Sequence, residues 1–348
     1  MAKGGKKEHL ARALDSHIRS IDETFQMLER PAESSVEKVD WSEVTKMGDE
    51  ISKQATVAGM LWSGEGEDAA NLESNMGVYI NLLHGFLLLC HGSSAGAGPT
   101  LHACICVSAR NVIDCSIQLF KEAVSSCDAR NTNKRRPIPQ LSGSVWEACN
   151  ALKKTPTTNC TAVGRAITQI AVSTKDVLRE MKELKPAHAD SSDGPPADIT
   201  DDDGSFSEGD LGDDLSPEEM EIAQLAISVV DDTLTVIKET IRFITSLLRK
   251  SNRESAEKEY INSLERILTH FQEMGSQIND LGACVYPPQE ISQMKLITKK
   301  INGLVDDIHE AVDTLNGSPE DLHRTFTVLK NCLLKLQCVL DQNLDKWE

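Results

Sequence analysis

Aromatic side chains are scarce: three Tyr, four Trp and seven Phe among 348 residues, 4% of the chain. That is too few for a β-sandwich, whose strands favour aromatic and β-branched residues. A sizeable core must therefore be aliphatic, and 40% of the residues are apolar. Basic charge is also short. The 36 Lys and Arg face 54 Asp and Glu, a net of −18. This argues against a general nucleic-acid binder, because phosphate neutralisation needs clustered cations. The most apolar stretch, Val78–Cys90, is too short to span a bilayer and is interrupted by Asn81 and His84. Behind the basic start MAKGGKKEHLARALDSH there is no apolar segment, so no secretory signal is expected. Ala2 excludes the N-myristoylation pattern.

Catalytic and metal motifs are missing too. His102-x-Cys104-x-Cys106 has metal-ligand residue types, but residues two apart on a helix point about 200° apart and cannot close on one ion. Gly92-x-x-x-Gly96-x-Gly98 precedes a helix yet lacks the Gly-Lys-Ser/Thr ending of a phosphate loop. No Gly-x-Ser-x-Gly elbow and no His-Glu-x-x-His occurs. No catalytic residue, metal site or cofactor is expected. The ten Cys fall mostly where small hydrophobes fit helical patterns, so reduced thiols are expected.

What is present is helix after helix. Leu14, Ile18, Ile21, Phe25 and Leu28 put one apolar stripe on a helix over about 8–29, stopped by Pro31. Asp40 with Glu43 predicts a capping box, followed by Val44, Met47, Ile51, Ala58 and Leu61. Leu72, Met76, Tyr79, Leu83, Phe86 and Cys90 mark a third helix, His91–Gly98 a flexible connector, and Pro99 the start of a fourth over 100–127. Residues 128–143 read as a polar loop holding Lys134-Arg135-Arg136. Ser144 then opens a short helix, and Asn159 caps a longer one. The stripe of that longer helix, Val163, Ile167, Ile170, Thr174, Val177, Met181, Leu184, places Ile170 in the core.

Four more helices are predicted from Ser216. They carry Leu225–Leu248, Ile261–Leu281, Ile291–Leu315 and Leu322–Leu340 stripes, with Pro287-Pro288 breaking the chain between the second and third. The last stripe spans fewer than three heptads, so it reads as a bundle seam rather than a zipper. The predicted fold is all-α: two antiparallel helical bundles joined by a disordered acidic linker.

Charge is concentrated in that linker. Residues 186–219 hold twelve Asp or Glu and no Lys or Arg. Pro, Gly, Ser and Asp dominate 186–215, and such a segment cannot offset its ordering entropy. The expected domains are an N-terminal bundle over 1–185, the linker over 186–215, and a four-helix bundle over 216–348. Thr200, Ser205, Ser207 and Ser216 each precede an acidic residue by three and are candidate sites for acidophilic kinases. Helical spacing puts Arg242, Arg249 and Arg253 on one side, a candidate basic partner face.

The chain resembles the cyclin-D-binding protein family, the homologues of the maternally expressed MAID protein that include the Grap- and cyclin-D-interacting protein. Ser144-Val145-Trp146-Glu147-Ala148-Cys149, Val285-Tyr286-Pro287-Pro288 and the helical–acidic–helical layout carry the resemblance, with a weaker match over Val44–Trp62. Agreement around Gly92–Thr100, Pro137–Gln140 and Glu180–Lys185 resembles the plant branch. The resemblance implies a non-enzymatic regulator of nucleus and cytoplasm that binds D-type cyclins. It would dampen phosphorylation of the retinoblastoma protein and modulate cell-cycle progression and transcription. Val145, Trp146, Cys149, Tyr286, Pro287 and Pro288 are its motif residues here. The resemblance also implies a helix-loop-helix protein without a basic region that sequesters other helix-loop-helix factors; this sequence departs from a true helix-loop-helix protein in that its helices form complete bundles and no basic region precedes a helix pair. The expected partner is a D-type cyclin or another helical regulatory protein, with no direct nucleic-acid or membrane binding, and the chain a monomer. The alternative is a helical-bundle scaffold or cytoskeletal adaptor of the vinculin and talin kind.

Overall fold

Helix starts follow local chemistry. Ser216 Oγ accepts from the Glu219 backbone N–H at 3.2 Å, and the Glu219 carboxylate accepts from the Ser216 N–H at 3.0 Å. This reciprocal box, with Pro217 in the first turn, opens a 34-residue helix. The computed structural model describes residues 2–33, 37–63, 69–126, 137–186, 214–250, 258–315 and 319–344. Its helices are α1 (Ala2–Leu28), α2 (Trp41–Ser63), α3 (Ala69–Ser93), α4 (Pro99–Ser126), α5 (Pro137–Ala151), α6 (Asn159–Met181), α7 (Pro217–Lys250), α8 (Lys258–Cys284), α9 (Ile291–Asp313) and α10 (Glu320–Leu344). Two-residue strands β1 (Lys185–Pro186) and β2 (Asp214–Leu215) pair in parallel. The all-α reading therefore holds, with this short pairing as an addition.

The chain divides into two compact units, Met1–Ala162 and Val163–Glu348. In the first unit, α1 packs on α3, α3 on α2, α2 on α5, α5 on α4 and α4 on α1. The few aromatics concentrate in its core: Phe120 meets Tyr79 edge-on at 4.9 Å and Trp62 at 5.8 Å. The Tyr79 hydroxyl reaches Ser116 Oγ at 3.2 Å, and burial pushes its phenol well up. By length and composition, α3 and α4 are long and apolar enough to cross a membrane, and about half of each such window is buried in the bundle. The expectation of too short a span rested on the apolar run alone; the helix around it has 25 residues.

Several local expectations are corrected. Asp40 caps α2 through the Ser42 N–H at 2.8 Å, but the Glu43 carboxylate turns to Lys46 at 2.7 Å instead of back to the cap. The α2 stripe ends on buried Trp62, leaving Leu61 42% exposed. Pro137 starts α5 seven residues before Ser144, because a proline in the first turn sacrifices no hydrogen bond. Ser144 lies mid-helix and bonds back to the Gln140 carbonyl at 3.3 Å.

Segment 91–98 is no loose connector. Ser94 Oγ accepts from the Ala32 N–H at 2.9 Å, and Val39 N–H reaches the Gly92 carbonyl at 3.2 Å. A Cβ on Gly92 would lie 2.6 Å from Val39 Cγ2, and Gly96 turns the chain at φ +72°, so glycine is required at both. Asn159 is not the cap of α6. Thr158 Oγ1 accepts from the Thr161 N–H at 3.2 Å, which frees Asn159 to accept from the Gly98 N–H at 2.7 Å and donate to the Gly96 carbonyl at 3.0 Å.

The second unit holds α7–α10 as a bundle in which α7 packs on α10, α10 on α9 and α9 on α8. Helix α6 belongs to this unit from Val163 onward, a boundary earlier than the expected 185. It lies against α8, where Ile170 Cγ2 is 3.0 Å from the Cβ position of Gly275 and Val177 Cγ1 is 2.7 Å from that of Gly282. It also approaches α7, with Ile244 Cγ2 3.9 Å from the Cβ position of Gly164. Two small residues one heptad apart on α8 thus form the seat for α6. Ile170 is half-buried there and Val163, Ile167, Leu178 and Met181 are buried. The division falls before α6 because periodicity marks its apolar face without marking which helices cover it.

Candidate protein-binding surface

The family-like stretch 144–149 falls on α5, and its side chains split by face. Val145 and Cys149 are buried, and burial pushes the Cys149 thiol up to about 12. Trp146 is 41% exposed. A core position explains an apolar residue without a partner; a half-exposed Trp does not follow from packing alone.

Helix α2 positions that indole. It runs antiparallel to α5 at close approach: a Cβ on Gly59 would collide with Ser142 Oγ, and one on Gly48 would lie 2.6 Å from Leu152 Cδ1. The Trp146 Nε1–H donates to Thr56 Oγ1 at 3.1 Å, which satisfies the polar edge and fixes the ring. One turn beyond Thr56, Met60 is 72% exposed, and Val57 and Leu61 on α2 are exposed as well. A Cβ on Gly143 would meet nothing within 4 Å. Trp146 and Met60 therefore present apolar area to solvent over an open position. Buried Trp anchors and adaptable Met surfaces are common currency of protein interfaces. Trp146 lies in the family-like stretch 144–149 and Thr56 and Met60 in the broader Val44–Trp62 match; Met60 shares the exposed face of α2 with Val57 and Leu61, and periodicity, which marks only the buried face, gives it no role.

In the second unit, Val285-Tyr286-Pro287-Pro288 forms the turn between α8 and α9, with a cis Pro287–Pro288 bond. Val285 is buried, and Gln289 Nε2 donates to the carbonyls of Val285 and Glu219 at 3.0 and 2.9 Å. This clamp leaves Tyr286 38% exposed and Pro288 exposed, while Pro287 is half-buried.

The other expected site residues are placed as follows. Ser216 is engaged in the capping box of α7. Arg242 is exposed and pairs with Glu239 one turn earlier, so its charge is partly met within α7. Arg249 is in the last turn of α7, its side chain outside the described residues. Arg253, Thr200, Ser205 and Ser207 lie outside the described residues, as does the basic run 134–136. His102 Nε2 and Cys106 Sγ approach the Leu28 carbonyl at 2.8 and 3.5 Å, closing the end of α1. A cleft of about 640 Å³ opens beside Lys38, Asp40, Trp41 and Lys153. Its lining holds no His, Cys or Glu, and Lys153 already pairs with Asp49 at 3.0 Å.

The fold defines the class: an all-α chain built of helical bundles with half-exposed aromatic positions. The chain belongs to the Grap2 and cyclin-D-interacting protein family. The family's N-terminal model matches residues 43–187 and its C-terminal model residues 199–310. The chain is also similar to a cyclin-D1-binding protein 1 homolog of Xenopus laevis, 23% identical over 223 residues. That alignment covers 64% of this chain and 64% of the relative, just under two thirds of its length. The break between the two family models lies inside the acidic segment, one helix later than the division by packing.

Proposed function

We propose that this protein is a non-enzymatic binding regulator that engages a D-type cyclin, or another helical regulatory protein, through the Trp146–Met60 face of α2 and α5. The observation that carries the reading is a half-exposed Trp whose ring is fixed by Thr56 at 3.1 Å within a stretch that resembles the family. A fixed ring loses little conformational freedom on binding, so more of its buried area counts toward affinity. Such binding would act on cell-cycle progression and transcription, in nucleus and cytoplasm, with the chain a monomer that contacts neither nucleic acid nor membrane directly. Phosphate on Thr200, Ser205 or Ser207 would add charge to the acidic segment; on Ser216 it would first have to break the capping box with Glu219.

The test is titration calorimetry of the full chain against a purified D-type cyclin. Binding in the micromolar range or tighter is expected, weakened at least ~10-fold by Trp146→Ala, as for interface hot spots. Absence of heat at micromolar concentrations removes the cyclin reading. The packing of α6 onto a four-helix bundle favours one other reading, a helical-bundle scaffold. Co-sedimentation with actin filaments, with no cyclin binding, would select it.

A further inference from the structure

Along the sequence the His residues are scattered, but the α9–α10 hairpin gathers two of them. His309 and Asp313 are four apart on α9 and so share a face. His323, near the start of α10, comes back beside them. His309 Nε2 faces His323 Nδ1 at 2.6 Å, Asp313 Oδ2 is 3.9 Å from His309 Nε2, and Asp313 Oδ1 is 3.6 Å from His323 Nε2. One donor atom from each residue falls within 4.8 Å of the others. We propose that His309, Asp313 and His323 bind a divalent first-row transition ion, with zinc as the best match to their geometry.

Two ring nitrogens at 2.6 Å can hold only one proton between them, so at least one lone pair points into the gap. His309 is half-buried on α9, facing His323 and Asp313. Its ring is fixed by stacking on the buried Phe326, centroids 4.7 Å apart at 23°. The nearby cation, Lys330, pairs with Asp306 and so is partly neutralised. Tetrahedral zinc with Zn–N near 2.05 Å holds its ligand atoms roughly 3.3 Å apart. With one donor atom taken from each residue the set closes within 4.8 Å, His309 Nε2 and Asp313 Oδ2 lie 3.9 Å apart, and the two facing imidazole nitrogens need part by only about 0.7 Å. Side-chain exposures of 30%, 36% and 53% leave an entry path and a fourth position for water. Two imidazoles and one carboxylate suit zinc, copper or nickel better than magnesium or calcium.

The probe is cobalt(II) added to the reduced full chain, followed by absorption and then by displacement with zinc. One equivalent should bind with weak tetrahedral visible bands and without the intense near-ultraviolet charge transfer of thiolate ligands, which separates this site from the ten Cys. His323→Gln should abolish the bands. Asp313→Asn, at a half-exposed position that folding tolerates, should weaken binding at least ~10-fold and leave the metal-free melting curve unchanged. No bands at micromolar excess, thiolate-type bands alone, or binding undiminished in both variants would overturn the proposal.

Discussion

Val177 of α6 stands where a side chain on Gly282 of α8 would have to go, 2.7 Å from the position of its Cβ. Alanine normally favours a helix over glycine by roughly 0.5–1 kcal/mol. At Gly282 the clash outweighs that gain, and Gly282→Ala is expected to destabilise by roughly 1–3 kcal/mol, the cost of overpacking. Gly303 on α9 is the control, since a Cβ there meets nothing within 4 Å. Gly303→Ala should stabilise by about 0.4–1 kcal/mol. Urea unfolding of the two variants reads the opposite signs; a stabilised Gly282→Ala would mean that α6 is not seated on α8.

Asn159 and Thr158 invert the expected ranking of a cap. Thr158→Ala removes a helix cap and should cost about 1 kcal/mol. Asn159→Ala leaves the Gly98 N–H and the Gly96 carbonyl without partners in a packed junction. It should cost more, roughly 1–3 kcal/mol per unmet buried group at the upper bound. Thermal unfolding monitored by circular dichroism compares them, and a smaller loss in Asn159→Ala would contradict the junction.

Helix existence was legible because amphipathic periodicity and prolines are local. The stripe Leu322, Phe326, Leu329, Leu333, Leu336 and Leu340 is buried at every position. Junctions were less legible. Gly92, Ser94 and Gly96 have loop chemistry in sequence, yet contacts with Ala32, Val39 and Asn159, about sixty residues away in either direction, make that segment ordered. The same holds for sites. Trp146 was readable as part of a motif, but its exposure and its bond to Thr56 come from a partner ninety residues distant. His309 and Asp313 carried an i, i+4 signal; His323 joined them only through the turn between two helices.

Asp232 gives the stability a pH dependence of definite sign. Burial raises its pKa above the usual carboxylate value, opposed by a hydrogen bond with Cys332. The folded protein therefore holds this proton more tightly than the unfolded chain does. The associated stability is fully present below the unfolded pKa of about 3.9 and is lost as pH rises through the folded pKa. Asp232→Asn keeps an acceptor for the thiol and cannot ionise. The stability difference, variant minus wild type, should grow in the variant's favour from below pH 4 toward neutrality and then level off. Melting curves at a series of pH values measure it. A difference that shrinks as pH rises would mean the carboxylate is stabilised in the fold.

Cutting the chain between β1 and β2 tests where α6 belongs. The expected bundles of 1–185 and 216–348 would separate after such a cut, because nothing but the acidic segment would join them. The packing says otherwise: Val163, Ile167, Leu178 and Met181 are buried within a unit that begins at Val163, and α6 presses Ile170 and Val177 onto Gly275 and Gly282. The parallel pairing of Lys185 with Asp214 and of Pro186 with Leu215 adds a clasp at the end of α6. A protease site placed near residue 200 should therefore give two fragments that co-elute in gel filtration under native conditions and separate in denaturant. Each fully buried aliphatic side chain contributes about 1.5–3 kcal/mol, so polar substitution of one should loosen the nicked complex measurably. Ile167→Asp in the cut chain is expected to release the C-terminal fragment. Separation of the unmodified fragments on nicking would instead assign α6 to the first bundle.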